Sequence, residues 1–279
     1  MLSLILTLTC PDKPGIVAAL SHILAENGFN ITESQQYSDL AHGRFFMRVA
    51  CDGPLPQAEL AAALAPIEKT FNMQLQLLPA KARPRVLILV SKFDHCLMDL
   101  IYRQQNGSLS MDIAAIASNH EVGRHWADTA GLAYHALGDK NAKAENEAKL
   151  AKLIEKENID LIVLARYMQI LTADFVARHT GRIINIHHSF LPSFKGAEPY
   201  SQAHARGVKL IGATAHFVTA DLDEGPIITQ GVEPVRHDMS VAEFIDVGRD
   251  TERRALARAV RYFIERRIFL NGDKTVVFD

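Results

Sequence analysis

The chain has 279 residues, 48% hydrophobic and 22% charged, which is ordinary globular composition with enough apolar material for a sizeable core. A formal net charge of -2 gives no general basic field for nucleic acid. Three widely spaced cysteines, Cys10, Cys51 and Cys96, argue against a disulfide framework or a thiolate zinc site and read as small buried hydrophobes.

From the N-terminus, Leu4, Leu6 and Leu8 alternate with Ile5, Thr7 and Thr9, the period of a strand. The run is short, has no positive region ahead of it and meets Pro11 at once, so it is not read as a signal peptide. Pro11 to Gly15 supplies turn chemistry. Ile16, Leu20, Ile23 and Leu24 then recur at helical spacing until Asn27 and Gly28 end the helix. FNITESQQYSD and GRFFMRVAC predict two strands around Ala41, His42 and Gly43. A helix from about Pro56 to Lys69 and a strand FNMQLQLL complete the order strand, helix, strand, strand, helix, strand, which is ferredoxin-like.

Pro79 to Pro84 is short, basic and bounded by prolines, and it reads as a linker between a unit 1–80 and a unit 85–279, with 81–84 joining them. Beyond it the rhythm changes. RVLILVS is a near-continuous apolar run, as expected of a strand buried on both faces. The apolar strands SLSMDIAAIAS, DLIVLA, RIINIH and LIGATAHFV alternate with helical segments, which predicts a mainly parallel sheet covered by helices, an α/β fold. NAKAENEAKLAKLIEKEN is a strong helix that turns Leu150, Leu153 and Ile154 to one face and its charges to solvent. Ser240 and Glu243 fit a capping box, opening a helix whose stripe runs through Phe244, Ile245, Leu256, Val260, Phe263 and Ile264. No apolar run approaches the ~20 residues that span a bilayer. A cytoplasmic protein without membrane or nucleic-acid partners is the expectation.

Open parallel sheets bind ligands beyond the carboxyl ends of their strands, and three strand ends here are rich in polar groups. One carries Arg166, Tyr167, Met168 and Gln169. Another carries Asn185, His187, His188 and Ser189. The third carries His216 and a loop with Asp221, Asp223 and Glu224, closed by Gly225 and Pro226. The period of two puts Asn185 and His187 on one side of their strand. An amide donor and an imidazole pointing together, with a carboxylate nearby, are the parts that acyl transfer uses: oxyanion donors, a proton carrier and a base. Plainer readings stand beside this one. Asn and His at a strand end often cap backbone groups, and Asp221, Asp223 and Glu224 fit a solvated turn. Adjacent His187 and His188 point to opposite faces, so no metal is expected. No Gly-x-Ser-x-Gly elbow surrounds Ser189.

NIHHSFLPSFKG and HFVTADLDEGP resemble the two signature segments of the folate-dependent formyltransferase family, and LARYMQIL resembles its folate-binding strand end. The three segments keep the family's order and cover residues 85 to 279 with a Rossmann-like domain. The resemblance implies Asn185, His187 and Asp223 as the catalytic trio. It implies a folate pocket around Met168, Gln169 and Leu171 and along Thr219, Ala220, Asp221, Leu222 and Asp223. His216 would brace Asp223 or simply belong to the core. TCPDKPGIVAALSHILAENGFNI resembles the start of an ACT domain, an amino-acid-sensing module. That implies an effector such as glycine or methionine near Asp12, Pro14, Gly15 and Asn30, and a homo-oligomer.

An ACT domain fused ahead of such a domain resembles the deformylase branch of the family. The turn after RVLILVS, KFDHCLMDLIYRQ, has no glycine, whereas transferases acting on glycinamide ribonucleotide place a glycine-rich phosphate loop there. SKFDHCLMDL instead resembles the deformylase form. The implied reaction is hydrolysis of 10-formyltetrahydrofolate to formate and tetrahydrofolate, with folate as substrate, no permanently bound cofactor and a link to purine biosynthesis. Water is the attacking group, and Asp223, directly or through His187, takes its proton. The alternative is formyl transfer to an amine such as glycinamide ribonucleotide.

Overall fold

The computed structural model describes residues 1–190 and 199–279 and divides into two compact units. The first contains residues 1–82, 265–269 and 276–279. Its elements are β1 (Leu2–Pro11), α1 (Ile16–Glu26), β2 (Asn30–Asp39), β3 (Arg44–Gly53), α2 (Gln57–Phe71) and β4 (Gln74–Pro79). The strands form an antiparallel sheet in the order β2-β3-β1-β4, the ferredoxin-like arrangement that the element order predicts. The alternate leucines Leu4, Leu6 and Leu8 meet Ile16, Leu20 and Leu24 of α1 in one core, which also takes in Cys10 and Cys51. The C-terminal residues Phe269 and Phe278 pack on Phe46. A linear division at residue 85 does not anticipate that part of the unit.

The second unit contains residues 83–264 and 270–275. It runs β5 (Arg85–Val90), α3 (His95–Gln105), β6 (Asp112–Ser118), α4 (Val122–Ala130), β7 (Tyr134–Ala136), α5 (Lys143–Lys156), β8 (Leu161–Leu164), α6 (Ala173–Arg178), β9 (Ile183–His187), α7 (Pro199–Arg206), β10 (Leu210–Phe217), β11 (Ile227–Pro234) and α8 (Val241–Ile264). The seven strands lie in the order β11-β10-β9-β8-β5-β6-β7. Strands β5 to β9 are parallel, and β5, β6, β8 and β9 carry the buried apolar runs, with Val86 to Val90 of β5 fully enclosed. β10 runs antiparallel to both neighbours, which decides how the third polar strand end reaches the others.

Helix signals in the sequence hold. Leu150, Leu153 and Ile154 of α5 are buried. Ser240 and Glu243 exchange hydrogen bonds ahead of α8, the Glu243 backbone N–H to Ser240 Oγ and the Ser240 backbone N–H to Glu243 Oε2. The three cysteines are buried and unpaired. Among the described residues no helix is long and apolar enough to cross a membrane.

Candidate active site

β8, β9 and β10 bring the polar strand ends together. Asn185 and His187 project from one side of β9, and His216 of β10 stands in register with Asn185. Because β10 is antiparallel, its carboxyl end lies beside the amino end of β9, not beside the other two polar ends. The following loop therefore turns back across β9. It starts where the Val218 N–H donates to Ile183 O, and it closes where the Phe217 N–H donates to Pro226 O. Gly225 makes that closure possible, since a Cβ there would lie 1.8 Å from Phe217 O. Asp223 rides on the loop with φ of +57°, a left-handed conformation that costs a non-glycine residue about 1–3 kcal/mol.

The returning loop sets Asp223 Oδ2 3.2 Å from His187 Nδ1, with Asp223 Oδ1 3.7 Å from His216 Nε2. The His187 hydrogen bond holds the Asp223 carboxyl well below its ordinary range despite the opposing effect of burial. A carboxylate only accepts, so the shared proton sits on His187 Nδ1. That leaves His187 Nε2, which is buried and has no hydrogen-bond partner among the described residues. His216 Nδ1 lies 2.9 Å from Phe217 O, so it too carries a proton, and in the neutral ring Nε2 accepts from Asn185 Nδ2 at 3.2 Å. His216, 2% exposed, thus touches both members of the trio that flank it and belongs to the core at the same time.

These groups line a cavity of about 310 Å³. The sequence-predicted Met168, Gln169, Leu171, Thr219, Ala220, Asp221 and Leu222 line it as well, as do Arg166 and His188. Met168, Ile170 and Leu222 are exposed, so its mouth offers apolar side chains to a flat ring. The Gln169 side chain is spent elsewhere: its amide donates to Gly138 O, and its Oε1 accepts from Tyr167 Oη. The Met168 N–H donates to Ser91 Oγ. In the first unit, Gly15 precedes α1 with φ of +96°, the Asp12 N–H donates to Gly43 O, and Asn30 opens β2. The Leu191–Gly196 end of the motif NIHHSFLPSFKG lies outside the described residues.

Sequence reading missed a second buried cluster beside the cavity. Glu252 of α8, 1% exposed, accepts from Tyr200 Oη at 2.6 Å, lies 2.8 Å from His95 Nε2 and lies 3.4 Å from Arg166 Nε. A signal was present: Phe244, Gly248, Glu252, Leu256 and Val260 recur every four residues on the buried stripe of α8, and one of them is charged. His95, Cys96 and Glu252 bring three possible ligand atoms within 4.8 Å of one another. Arg166 already neutralises that carboxylate, and burial pushes the Cys96 thiol well up, so the set does not suit a cation.

Residues 84–260 match the Formyl transferase family, and residues 4–65 match the ACT domain family. Formyltetrahydrofolate deformylase of Bacillus subtilis (strain 168) is 49% identical over 279 residues, covering 98% of this chain and 93% of that one. The crystal structure of formyltetrahydrofolate deformylase from Burkholderia mallei ATCC 23344 superposes with a TM-score of 0.96 at 48% identity over the whole of both chains. Glycinamide ribonucleotide transformylase 1 of Symbiobacterium toebii is a more distant and partial match, with a TM-score of 0.66 at 31% identity over 71% of this chain and 95% of that one.

Proposed function

We infer that this chain, which belongs to the formyltetrahydrofolate deformylase family, hydrolyses 10-formyltetrahydrofolate to formate and tetrahydrofolate. The observation that carries the mechanism is the uncommitted His187 Nε2 on a ring whose Nδ1 is tied to Asp223. Asp223 keeps that tautomer by accepting from Nδ1. Neutral Nε2 takes a proton as water attacks the formyl carbon. The charged ring then returns a proton to the folate nitrogen as its bond to carbon breaks. Asn185 spends one N–H on His216 and offers the other to the oxyanion that develops on the formyl oxygen. His216 positions Asn185. The apolar mouth at Met168, Leu171 and Leu222 and the backbone of Gln169 and of Thr219 to Asp221 hold the folate ring. No step in this scheme calls for a metal or a permanently bound cofactor.

Further parts of the reading concern the whole molecule. Residues 1–80 form an effector-sensing unit that takes a small amino acid, glycine or methionine, near Asp12, Pro14, Gly15 and Asn30. Residues 81–84 link it to the catalytic unit 85–279, and the protein works as a cytoplasmic homo-oligomer that releases formate for purine biosynthesis. The match to the ACT domain family supports the sensing role. Incubation of the full chain with 10-formyltetrahydrofolate and no amine tests the central reading: formate and tetrahydrofolate should appear in equal amounts. Turnover that begins only when an amine acceptor is added would overturn it.

A further inference from the structure

Two polar residues of the cavity stand outside the mechanism. Arg166 and His188 line it together with Asn185 and His187. Neither is loosely held. The His188 ring packs against His187, with centroids 5.1 Å apart, and edge-on to Tyr200 at 6.3 Å. Tyr200 is anchored to Glu252, which also pairs with Arg166 and His95. Arg166 lies over the ring of Phe93, from the turn after β5 that lacks the glycines of a phosphate cradle. The packing behind Tyr200 has no slack: a Cβ on Gly248 of α8 would lie 2.2 Å from Tyr200 Cζ. Burial and the neighbouring Arg166 push the His188 pKa down to about 4, so at neutral pH the ring is an uncharged packing element.

We propose that His188, backed by Tyr200 and the Glu252–Arg166 pair, walls off the path by which an organic amine would reach the formyl carbon, so that only water or a similarly small attacking group enters. The wall rests on the hydrolytic reading and names its acceptor-specificity determinants. The chemistry differs only in the entering atom. With water, a C–O bond forms, the C–N bond to folate breaks, one water proton passes to the folate nitrogen and the other is released with formate. With a primary amine, a new C–N bond forms, the same bond breaks, and an amine proton passes to the folate nitrogen.

The test is a partition experiment on the full chain with 10-formyltetrahydrofolate and excess glycinamide, counting formate against N-formylglycinamide. The wild-type chain should give formate. His188→Ala and Tyr200→Ala should raise the formylamide share by about 10–200-fold, the range a steric pocket commands. Tyr200→Phe keeps the ring but loses the bond to Glu252, so it should raise the share less than Tyr200→Ala does. A size series on the wild-type chain needs no variant to fold: hydroxylamine, close to water in size, should intercept the formyl group, and glycinamide should not. If the wild-type chain makes formate and accepts glycinamide as readily as hydroxylamine, the wall is wrong while hydrolysis stands. If it makes formylamide but no formate, both fall.

Discussion

Two carboxylates lie near one cavity, each beside a histidine, and they are built for different work. Asp223 sits on a returning loop in a left-handed conformation, and its histidine keeps one ring nitrogen unspent. Glu252 sits in the middle of a long helix, and both its oxygens are taken, one by Tyr200 and the other by His95 and Arg166. Both pKa values are held below the ordinary range, so the shift does not separate them. The carboxylate's titratable partner does: His187 keeps a second ring nitrogen unspent at the cavity, whereas Arg166 beside Glu252 is a permanent cation that cannot act as a base. A reacting group needs an atom free to exchange protons, and a carboxylate whose oxygens are both taken has none to offer.

The contrast can be broken by mutation. His187→Ala should lower kcat by about 10²–10⁴-fold while circular dichroism and the Tm stay close to wild type. Near-normal turnover would remove the loop cluster from the reaction. Asp223→Asn keeps the shape but not the charge, and it should be at least as damaging in steady-state assays because the tautomer of His187 is no longer set. Asn185→Ala should cost about 10²–10³-fold in kcat, the usual effect of losing one oxyanion donor.

Glu252→Ala should show the opposite pattern, a large loss of stability. Removing one partner strands Arg166 in the interior and should cost about 3–5 kcal/mol in urea denaturation. Unchanged stability would mean that the helix cluster is not a structural pair. A smaller effect should follow from pH. His188 titrates near 4 in the folded chain and at an ordinary 6.5 when unfolded, so the unfolded chain binds more protons between those values. The contribution is present above about pH 6.5 and is lost as pH falls towards 4. His188→Leu should flatten the rise of Tm across that window, and an unaltered slope would show that His188 does not stay neutral.

Much of this was legible in order along the chain. The period of two set Asn185 and His187 on a common side, and the apolar stripe through Phe244, Leu256 and Val260 marked the buried face of α8. The strand buried on both faces, the capping box at Ser240 and the ferredoxin-like order all appear as read. The family resemblance pointed to Asp223, which spacing alone left as an acidic turn. What the chain order obscured was the direction of β10. Treating its loop as a third carboxyl end among parallel strands places Asp223 on the wrong edge, and only the return of the loop across β9 brings it to His187.

By itself, then, the sequence determined the local elements, the two-part plan and the residue types of the cavity, because these depend on periodicity and turn chemistry within short windows. Tertiary structure alone decided the tautomer-setting contact of Asp223 with His187 and the joining of His95, Tyr200 and Glu252 from three distant helices. His95 and Glu252 are separated by 157 positions, and no local pattern encodes a contact that forms only when α3 and α8 pack.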